Sequence, residues 1–357
     1  MPQPDPHTGS LHLSGLPFER GRTLGRSRKD RIHAFLNDGL ARMNHVAPSP
    51  IDPARLADDL GQFGAAIAVG LPDIWAEIEG LAEGADIPLD RAVLLQCRRE
   101  IMGYTRFPAA GDCTSIAVSV PHRPMLAQTV DLTCEMADHI EMLRMTGTDI
   151  AGGCAWVFSF TGLLGYLGVN NAGLAVGLNL VLGGEWTPSV PPYLAIRHLI
   201  NTASTVDEAI EILRGLPLAS SRNFVLCDAN RAVSVETLEG ELRVLEGPMV
   251  AHANSYLHPD FEPQDQMNVF SRNSSRVRLG AMRQRWNDMP NGTSENGLFA
   301  LMSSAPINIT GRYDLRREKT VASVVMDPCS GTLLLRRGDP ARAATEHYNG
   351  HKQPVSA

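Results

Sequence analysis

The hydrophobic period of this chain changes at a cysteine. From about residue 28 to 102, apolar residues recur at three- and four-residue steps in DRIHAFLNDGLARMNHV, DPARLADDLGQFGAAIAV, PDIWAEIEGLAEGA and PLDRAVLLQCRREIM, the pattern of amphipathic helices. Asp52 and Asp90, with Pro53 and Pro88 nearby, mark helix starts. From Cys113 the period is two: CTSIAVSV, PMLAQTVDL, HIEMLRMTG, AWVFSFTG and GLAVGLNLV read as antiparallel strands punctuated by Gly, Pro and Asn. A helical pair follows, PPYLAIRHLINTA and TVDEAIEILRGL, the second opening on a capping box of Thr205 and Glu208. Strands return at RNFVLCD, AVSVETL and ELRVLEG, helices at about 271–286 and 296–303, and TVASVVMD with GTLLLRR predicts a closing hairpin. This order predicts an α+β protein whose sheets carry helices on their outer faces. The sharpest break, GYTRFPAAGDC at 103–113, predicts an exposed loop leading into a strand that starts with a thiol.

Composition narrows the partners. The 357 residues carry a net charge of -7 without a basic stretch, so nucleic acid finds no electrostatic footprint. Six scattered cysteines with no C-x-x-C argue against a zinc cage or a disulfide framework and for reduced thiols. The stretch MPQPDPHTGS has neither a secretory nor a transit pattern, and no apolar run approaches the roughly 20 residues of a membrane helix. The expectation is a cytoplasmic protein without a membrane partner. GVNNAGLAVG lacks the ending of a phosphate-binding loop, and His252 with HPD at 258–260 matches no zinc spacing, so neither cofactor nor metal is expected.

Cys113 has three readings: a small buried hydrophobe, half of a disulfide, or a nucleophile that becomes a new N-terminus. Buried structural cysteine is the default for one thiol taken alone. The third reading has a chemical rationale. A thiol is weakly ionised at neutral pH and needs a base, and a free α-amine, with a pKa of about 7.7 to 8.0, is suited to the task. If the Asp112–Cys113 peptide breaks, one residue carries both nucleophile and base, and no catalytic histidine is required.

GDCTSIAVS, MLAQTVDLT, GYLGVNNAGLAVGLNLV, AHANSYLHPDF, SRNSSRVRLGAMR and KTVASVVMD, in that order, resemble the acyl-coenzyme A:6-aminopenicillanic-acid acyltransferase family. These are N-terminal-nucleophile (Ntn) proteins of the peptidase C45 type, related to bile-salt hydrolases and penicillin V acylases. The resemblance implies a four-layer αββα sandwich with two antiparallel sheets. It also implies a chain that cuts itself before Cys113 into a largely helical α chain, 1–112, and a β chain, 113–357, bearing the catalytic core. The two stay associated, and a homo-oligomer is left open.

The family's roles carry over as follows. Cys113 is the nucleophile, followed by Thr114 and Ser115 as in the family pattern, and Asp112 and Cys113 form the autocleavage junction. Asp131 ends the next strand, where a hairpin brings its carboxylate beside the amine. Asn254 in HANSY and Asn179 in GLNL match oxyanion donors, and Arg276 matches the arginine that faces the cysteine. Thr114, Gln128 and Tyr256 stand as substrate-contacting or supporting residues. In AQTVD, Gln128 and Asp131 keep the family pattern while Ala127, Thr129 and Val130 depart from it, so penicillin is not carried over as substrate. The implied activity is cleavage or transfer of the acyl group of a linear amide through a thioester, with a small amide or acyl-thioester as substrate. Asp112 stands where the family commonly has Gly, and this motivates a rival: an uncleaved, non-catalytic small-molecule-binding member of the same fold. The helical N-terminal segment and the loop GGEWTPSVPP at 183–192 are expected to line the pocket.

Overall fold

The change of period at Cys113 is a change of layer. The computed structural model describes residues 9–47, 51–103, 113–119, 124–289, 294–311 and 318–349. Before Cys113 come β1 (Leu11–Ser14) and the helices α1 (Pro17–Asn37), α2 (Met43–Val46), α3 (Pro53–Gly70), α4 (Pro72–Ala85) and α5 (Leu89–Met102). After it come β2 (Thr114–Val118), β3 (Met125–Thr133), β4 (Ile140–Thr146), β5 (Cys154–Phe160), β6 (Leu167–Asn170), β7 (Ala175–Asn179), α6 (Pro192–Thr202) and α7 (Val206–Gly215). The order closes with β8 (Arg222–Cys227), β9 (Ala232–Leu238), β10 (Glu241–Glu246), β11 (Met249–His252), α8 (Val269–Asn287), α9 (Glu295–Met302), β12 (Glu318–Asp327), β13 (Thr332–Arg337) and β14 (Glu346–Tyr348). The expected loop at 103–113 lies, apart from its two end residues, outside the described residues, as does Asp112 of the cleavage junction.

Two sheets form, one of eight strands ordered β1-β4-β5-β6-β7-β8-β9-β10 and one of six ordered β11-β2-β3-β12-β13-β14. Among the described residues, the strand pairings within the two sheets are antiparallel except that β1 runs parallel to β4, an edge the sequence did not predict. β2 and β3 face β7, β8 and β9 across the middle of the molecule. Strand alternation explains the layering. Ile116 and Val118 pack outward with Leu279 and Met282 of α8 and Leu298 and Phe299 of α9. Ala117, Leu126 and Val324 turn to the opposite face and join the main core with Val176 and Phe224 of the larger sheet. Both faces of these strands are buried, so their alternation sorts two interior environments rather than core from solvent. α6 and α7 cover the other side of the eight-stranded sheet, which completes the αββα sandwich.

The first helix starts at Pro17 rather than near residue 28. Its buried stripe includes Gly21, Leu24 and Gly25, and glycines add nothing to an apolar period. Their use is close approach to α4. A Cβ on Gly21 would stand 1.8 Å from Glu77 O, and one on Gly80 would stand 2.0 Å from Phe18 O. Gly80→Ala is therefore expected to push the helices apart and destabilise the fold by ~1–3 kcal/mol, seen as a lower denaturant midpoint with an unchanged slope. The expected capping box forms with a shift: Thr205 accepts from Glu208 N at 3.2 Å, while Glu208 reaches back to Ser204 N at 2.7 Å. The six cysteines form no disulfide. Among the described residues no helix is long and apolar enough to cross a membrane.

Candidate active site

Three strand ends converge on Cys113. The β2–β3 hairpin pairs Thr114 with Thr129, which brings Asp131 past the level of Cys113. β11 runs antiparallel to β2 with His252 opposite Ser115, so the chain leaving β11 carries Asn254 alongside Cys113. From the facing sheet, β7 ends at Asn179, paired with Asn223 of β8. A register shift in β12 between Thr320 and Ala322, opposite Asp131 and Val130, puts a bulge beside the carboxylate, a common device for re-aiming a side chain at an active site.

Cys113 is buried at 4% exposure. Burial pushes its thiol up to about 12, with the nearby Asp131 carboxylate as second cause; the Asp131 backbone N–H and the Arg278 guanidinium pull the other way. The Asp131 carboxylate connects to the start of β2 through Thr129. Thr114 N donates to Thr129 Oγ1 at 3.1 Å, and that hydroxyl donates to Asp131 Oδ2 at 3.1 Å. The Tyr166 phenol lies beside the thiol, and burial first, then Cys113, raises its pKa well above the ordinary value.

The main-chain carbonyl of Cys113 is clamped from two sides, by Asn179 Nδ2 at 3.3 Å and Arg278 Nη1 at 2.9 Å. Asn179 is oriented by what its oxygen accepts: Ser115 Oγ at 2.6 Å and Asn223 Nδ2 at 3.2 Å. Ser234 Oγ fixes Asn223 in turn at 2.7 Å. Asn254 Nδ2 donates to Leu180 O at 2.9 Å, and its oxygen accepts from Arg278 Nη2 at 3.0 Å. An amide NH2 carries two donors, so each asparagine has a second N–H beyond the bond described here.

The arginine assignment is corrected by the structure. Arg276 is 62% exposed at its side chain and faces Glu262 at 3.7 Å, away from the thiol. Arg278 is buried and spans Cys113 O, Thr114 Oγ1 at 2.7 Å and Asn254 Oδ1. The reason is helical phase: the buried face of α8 runs Ser275, Arg278, Leu279, Met282, and two residues along a helix turn a side chain to the far side.

Gln128 and Tyr256 stand in supporting positions. Gln128 imitates a missing strand neighbour, giving Nε2 to Leu178 O at 2.6 Å and taking Leu178 N at 2.9 Å. It thereby ties the six-stranded sheet to the strand that ends in Asn179. Gly177 must lack a side chain for this, since a Cβ there would lie 2.7 Å from Gln128 Oε1. Tyr256 spends its hydroxyl on Thr237 O at 3.1 Å and packs with Val181, Leu238 and Phe261. His252 Nε2 pairs with Glu236 at 2.8 Å; Glu236 also accepts from Leu257 N and His258 N and so holds the HANSY loop. No group of three or more metal-binding side chains occurs among the described residues. In GVNNAGLAVG the turn N–H groups of Ala172, Gly173 and Leu174 all point at Asn170 Oδ1, so they are taken and not presented to a phosphate.

The fold thus brings together a thiol at a strand start, a carboxylate across the hairpin and two amides around it. The sequence profile of the acyl-coenzyme A:6-aminopenicillanic acid acyl-transferase family matches residues 119–342. The chain belongs to this family. The match begins beyond Cys113 but includes Asp131, Asn179, Asn254 and Arg278. Among curated relatives, the chain is 25% identical over 229 residues to the 40 kDa form of acyl-coenzyme A:6-aminopenicillanic-acid-acyltransferase from Emericella nidulans, covering 63% of this chain and 63% of that protein. Solved structures similar to this family member include penicillin V acylase from Agrobacterium tumefaciens, with a TM-score of 0.49 at 15% identity, covering 66% of this chain and 86% of that one. The N-acylethanolamine-hydrolyzing acid amidase ortholog of Caenorhabditis elegans gives 0.46 at 14% identity, covering 61% and 93%.

The structure also places around Cys113 four residues to which the sequence assigned no role: Arg278, Tyr166, Thr129 and Asn223. Thr129 had a signal in its position two before Asp131 on the same strand face. Tyr166 lies in the motif GYLGVNNAGLAVGLNLV but was given no role, because it reaches Cys113 from a loop of the other sheet.

Proposed function

We propose that this chain is a self-activating N-terminal-cysteine enzyme that cleaves or transfers the acyl group of a linear amide. The observation that carries the reading is Cys113 at the head of β2, its carbonyl clamped by Asn179 and Arg278 and its thiol beside Asp131. In maturation, Cys113 Sγ attacks the carbonyl carbon of Asp112. The C–N bond breaks, its nitrogen takes the thiol proton and becomes the α-amine of Cys113, and water opens the thioester to leave the Asp112 carboxylate. The products are residues 1–112 and 113–357.

In turnover the α-amine takes the proton from Sγ, and the thiolate attacks the substrate carbonyl. The second N–H groups of Asn254 and Asn179 meet the oxyanion, where one such donor is worth ~2.7–4 kcal/mol. The α-ammonium, held by Asp131, protonates the leaving amine as the C–N bond breaks. Water, or an acceptor amine, then attacks the thioester with the α-amine as base, giving an acid or a new amide and regenerating the thiol.

The test is N-terminal sequencing and intact mass of the purified protein, followed by product analysis of a chromogenic amide with and without an added amine. A new N-terminus Cys-Thr-Ser and thiol-dependent amide turnover are expected. A single uncut chain with no thiol-dependent turnover would overturn the reading in favour of a non-catalytic binding protein. New amide formed from the added amine marks acyl transfer; free acid alone marks hydrolysis.

A further inference from the structure

A wall of aromatic rings leads from Cys113 to two arginines that the reaction above does not use. Tyr166, beside the thiol, stacks on Tyr193 with centroids 5.2 Å apart. The Arg222 guanidinium lies 5.7 Å from the Tyr193 ring and 5.0 Å from the Trp186 ring. Arg99 lies over Trp186 as well, at 5.5 Å. The group is compact, for Tyr193 is acted on electrostatically by Arg222, Glu100, Arg99 and Cys113 together. Trp186 is fixed by Nε1 donating to Ser221 Oγ at 3.1 Å and by packing with Leu180, Leu182 and Met267.

The two cations differ in their compensation. Arg222 is fully buried and paired: its Nη2 meets Glu100 Oε1 at 2.8 Å, an oxygen that Ser220 Oγ also holds at 2.8 Å. Arg99 donates to Gly103 O at 2.8 Å and faces Trp186, and among the described residues no carboxylate stands within ion-pairing distance of it. Burial first, then the like charge of Arg222, lowers its pKa, with Glu100 and Glu318 acting more weakly in the other direction. Arg99 is half-buried rather than sealed from solvent, so a ligand can reach it, and its planar fork of donors suits a carboxylate. Arg99, Arg222 and Glu100 together leave one positive charge in excess.

We propose that Arg99, over Trp186 and beside the Arg222–Glu100 pair, is the anion-binding end of the substrate pocket, and that the preferred amides carry a carboxylate. This rests on the reading of Cys113 as the acyl-transfer nucleophile. The carboxylate belongs to the acyl part or to the amine part, and the substrates of the test separate the two.

The test compares kcat/KM for glutaryl-p-nitroanilide, charged on the acyl side, N-pentanoyl-4-aminobenzoate, charged on the amine side, and the neutral pentanoyl-p-nitroanilide. One charged amide is expected to exceed the neutral one by about tenfold to a hundredfold, the range of a hydrogen bond to a charged group. Arg99→Gln is expected to bring that ratio close to one, and Arg99→Lys to restore part of it, both with folding checked by thermal midpoint. Equal use of all three amides by the parent, or a charge preference that survives Arg99→Gln, would overturn the proposal. Calorimetric binding of glutaric acid monoanilide to Cys113→Ala protein, with and without Arg99→Gln, gives a readout that needs no turnover. Tenfold weaker binding without Arg99, in a protein whose parent cleaves none of the amides, keeps the anion site and removes the amidase reading. Turnover with no such difference, for this ligand and for N-pentanoyl-4-aminobenzoate alike, removes the anion site alone.

Discussion

Cys113→Ala is expected to give a single uncut chain whose amide turnover falls by about 10³-fold or more. The sulfur forms the bond that breaks the Asp112–Cys113 peptide and the bond of the acyl-enzyme, so its removal deletes two covalent steps rather than weakening one. What remains is whatever the asparagine donors and substrate binding supply, in other nucleophile enzymes a residual of about 10³–10⁴ over water. Unfolding does not account for such a loss, because deleting one buried atom of this size costs on the order of 1 kcal/mol. A thermal midpoint within a few degrees of the parent, measured beside mass and turnover, checks this. Turnover equal to the parent would sink the mechanism.

The same variant reports on the thiol by its pH dependence. Burial moves Cys113 from its ordinary 9.0 to about 12 in the uncut chain, so the folded state keeps a proton that the unfolded state has lost. By linkage, this stabilisation is present below about pH 9 and disappears as pH rises towards 12. Cys97 and Cys227 are also raised by burial and act in the same direction. With the parent held in its uncut form, the parent minus Cys113→Ala difference in denaturant stability between pH 8 and 11 therefore isolates one thiol, and the parent should lose the more. The high value also has a chemical meaning: an uncut thiol at neutral pH is nearly all protonated and a poor nucleophile. Release of an α-amine beside it changes that.

Periodicity carried the large elements and failed on those without a period of their own. β2 to β5, β7 and the β12–β13 hairpin were legible because their alternation covers five or more residues. β1, β6, β11 and β14 are four residues or shorter, too brief for a pattern, and they exist because neighbouring strands offer unpaired edges. The N-terminal turns of α1 were lost because Gly21 and Gly25 occupy its buried face. Motif order picked out Asp131, Asn179 and Asn254, and the fold places all three around Cys113. Asn223 lay outside those motifs, and Tyr166, inside one of them, had no visible role, since only the facing of two sheets brings them near Cys113. The arginine could have been found: Leu279 and Met282 define the inward face of α8, and Arg278, not Arg276, shares it.

That distinction sets up the second large effect. Arg278→Ala is expected to lower amide turnover by about 10²–10³-fold and stability by about 3 kcal/mol, while Arg276→Ala stays within ~0.5 kcal/mol of the parent with its activity intact. Arg278 is 1% exposed and is one cation whose acceptors include Cys113 O, Thr114 Oγ1 and Asn254 Oδ1. Its loss strands buried oxygens and frees both the nucleophile's backbone and the Asn254 amide, whose orientation decides where its N–H groups point. Arg278→Lys should recover little, because a single ammonium cannot span the three positions that a planar fork reaches. Arg276, exposed and 3.7 Å from Glu262, has only a screened surface pair to lose. Rates and denaturant midpoints for the three variants decide the matter. A dead Arg276→Ala beside an active Arg278→Ala would mean that α8 turns its other face to Cys113 in the working enzyme. Equal loss of turnover and folded fraction in Arg278→Ala would reduce its role to stability, whereas a folded variant with kcat depressed and KM little changed marks it as the residue that positions the oxyanion donor.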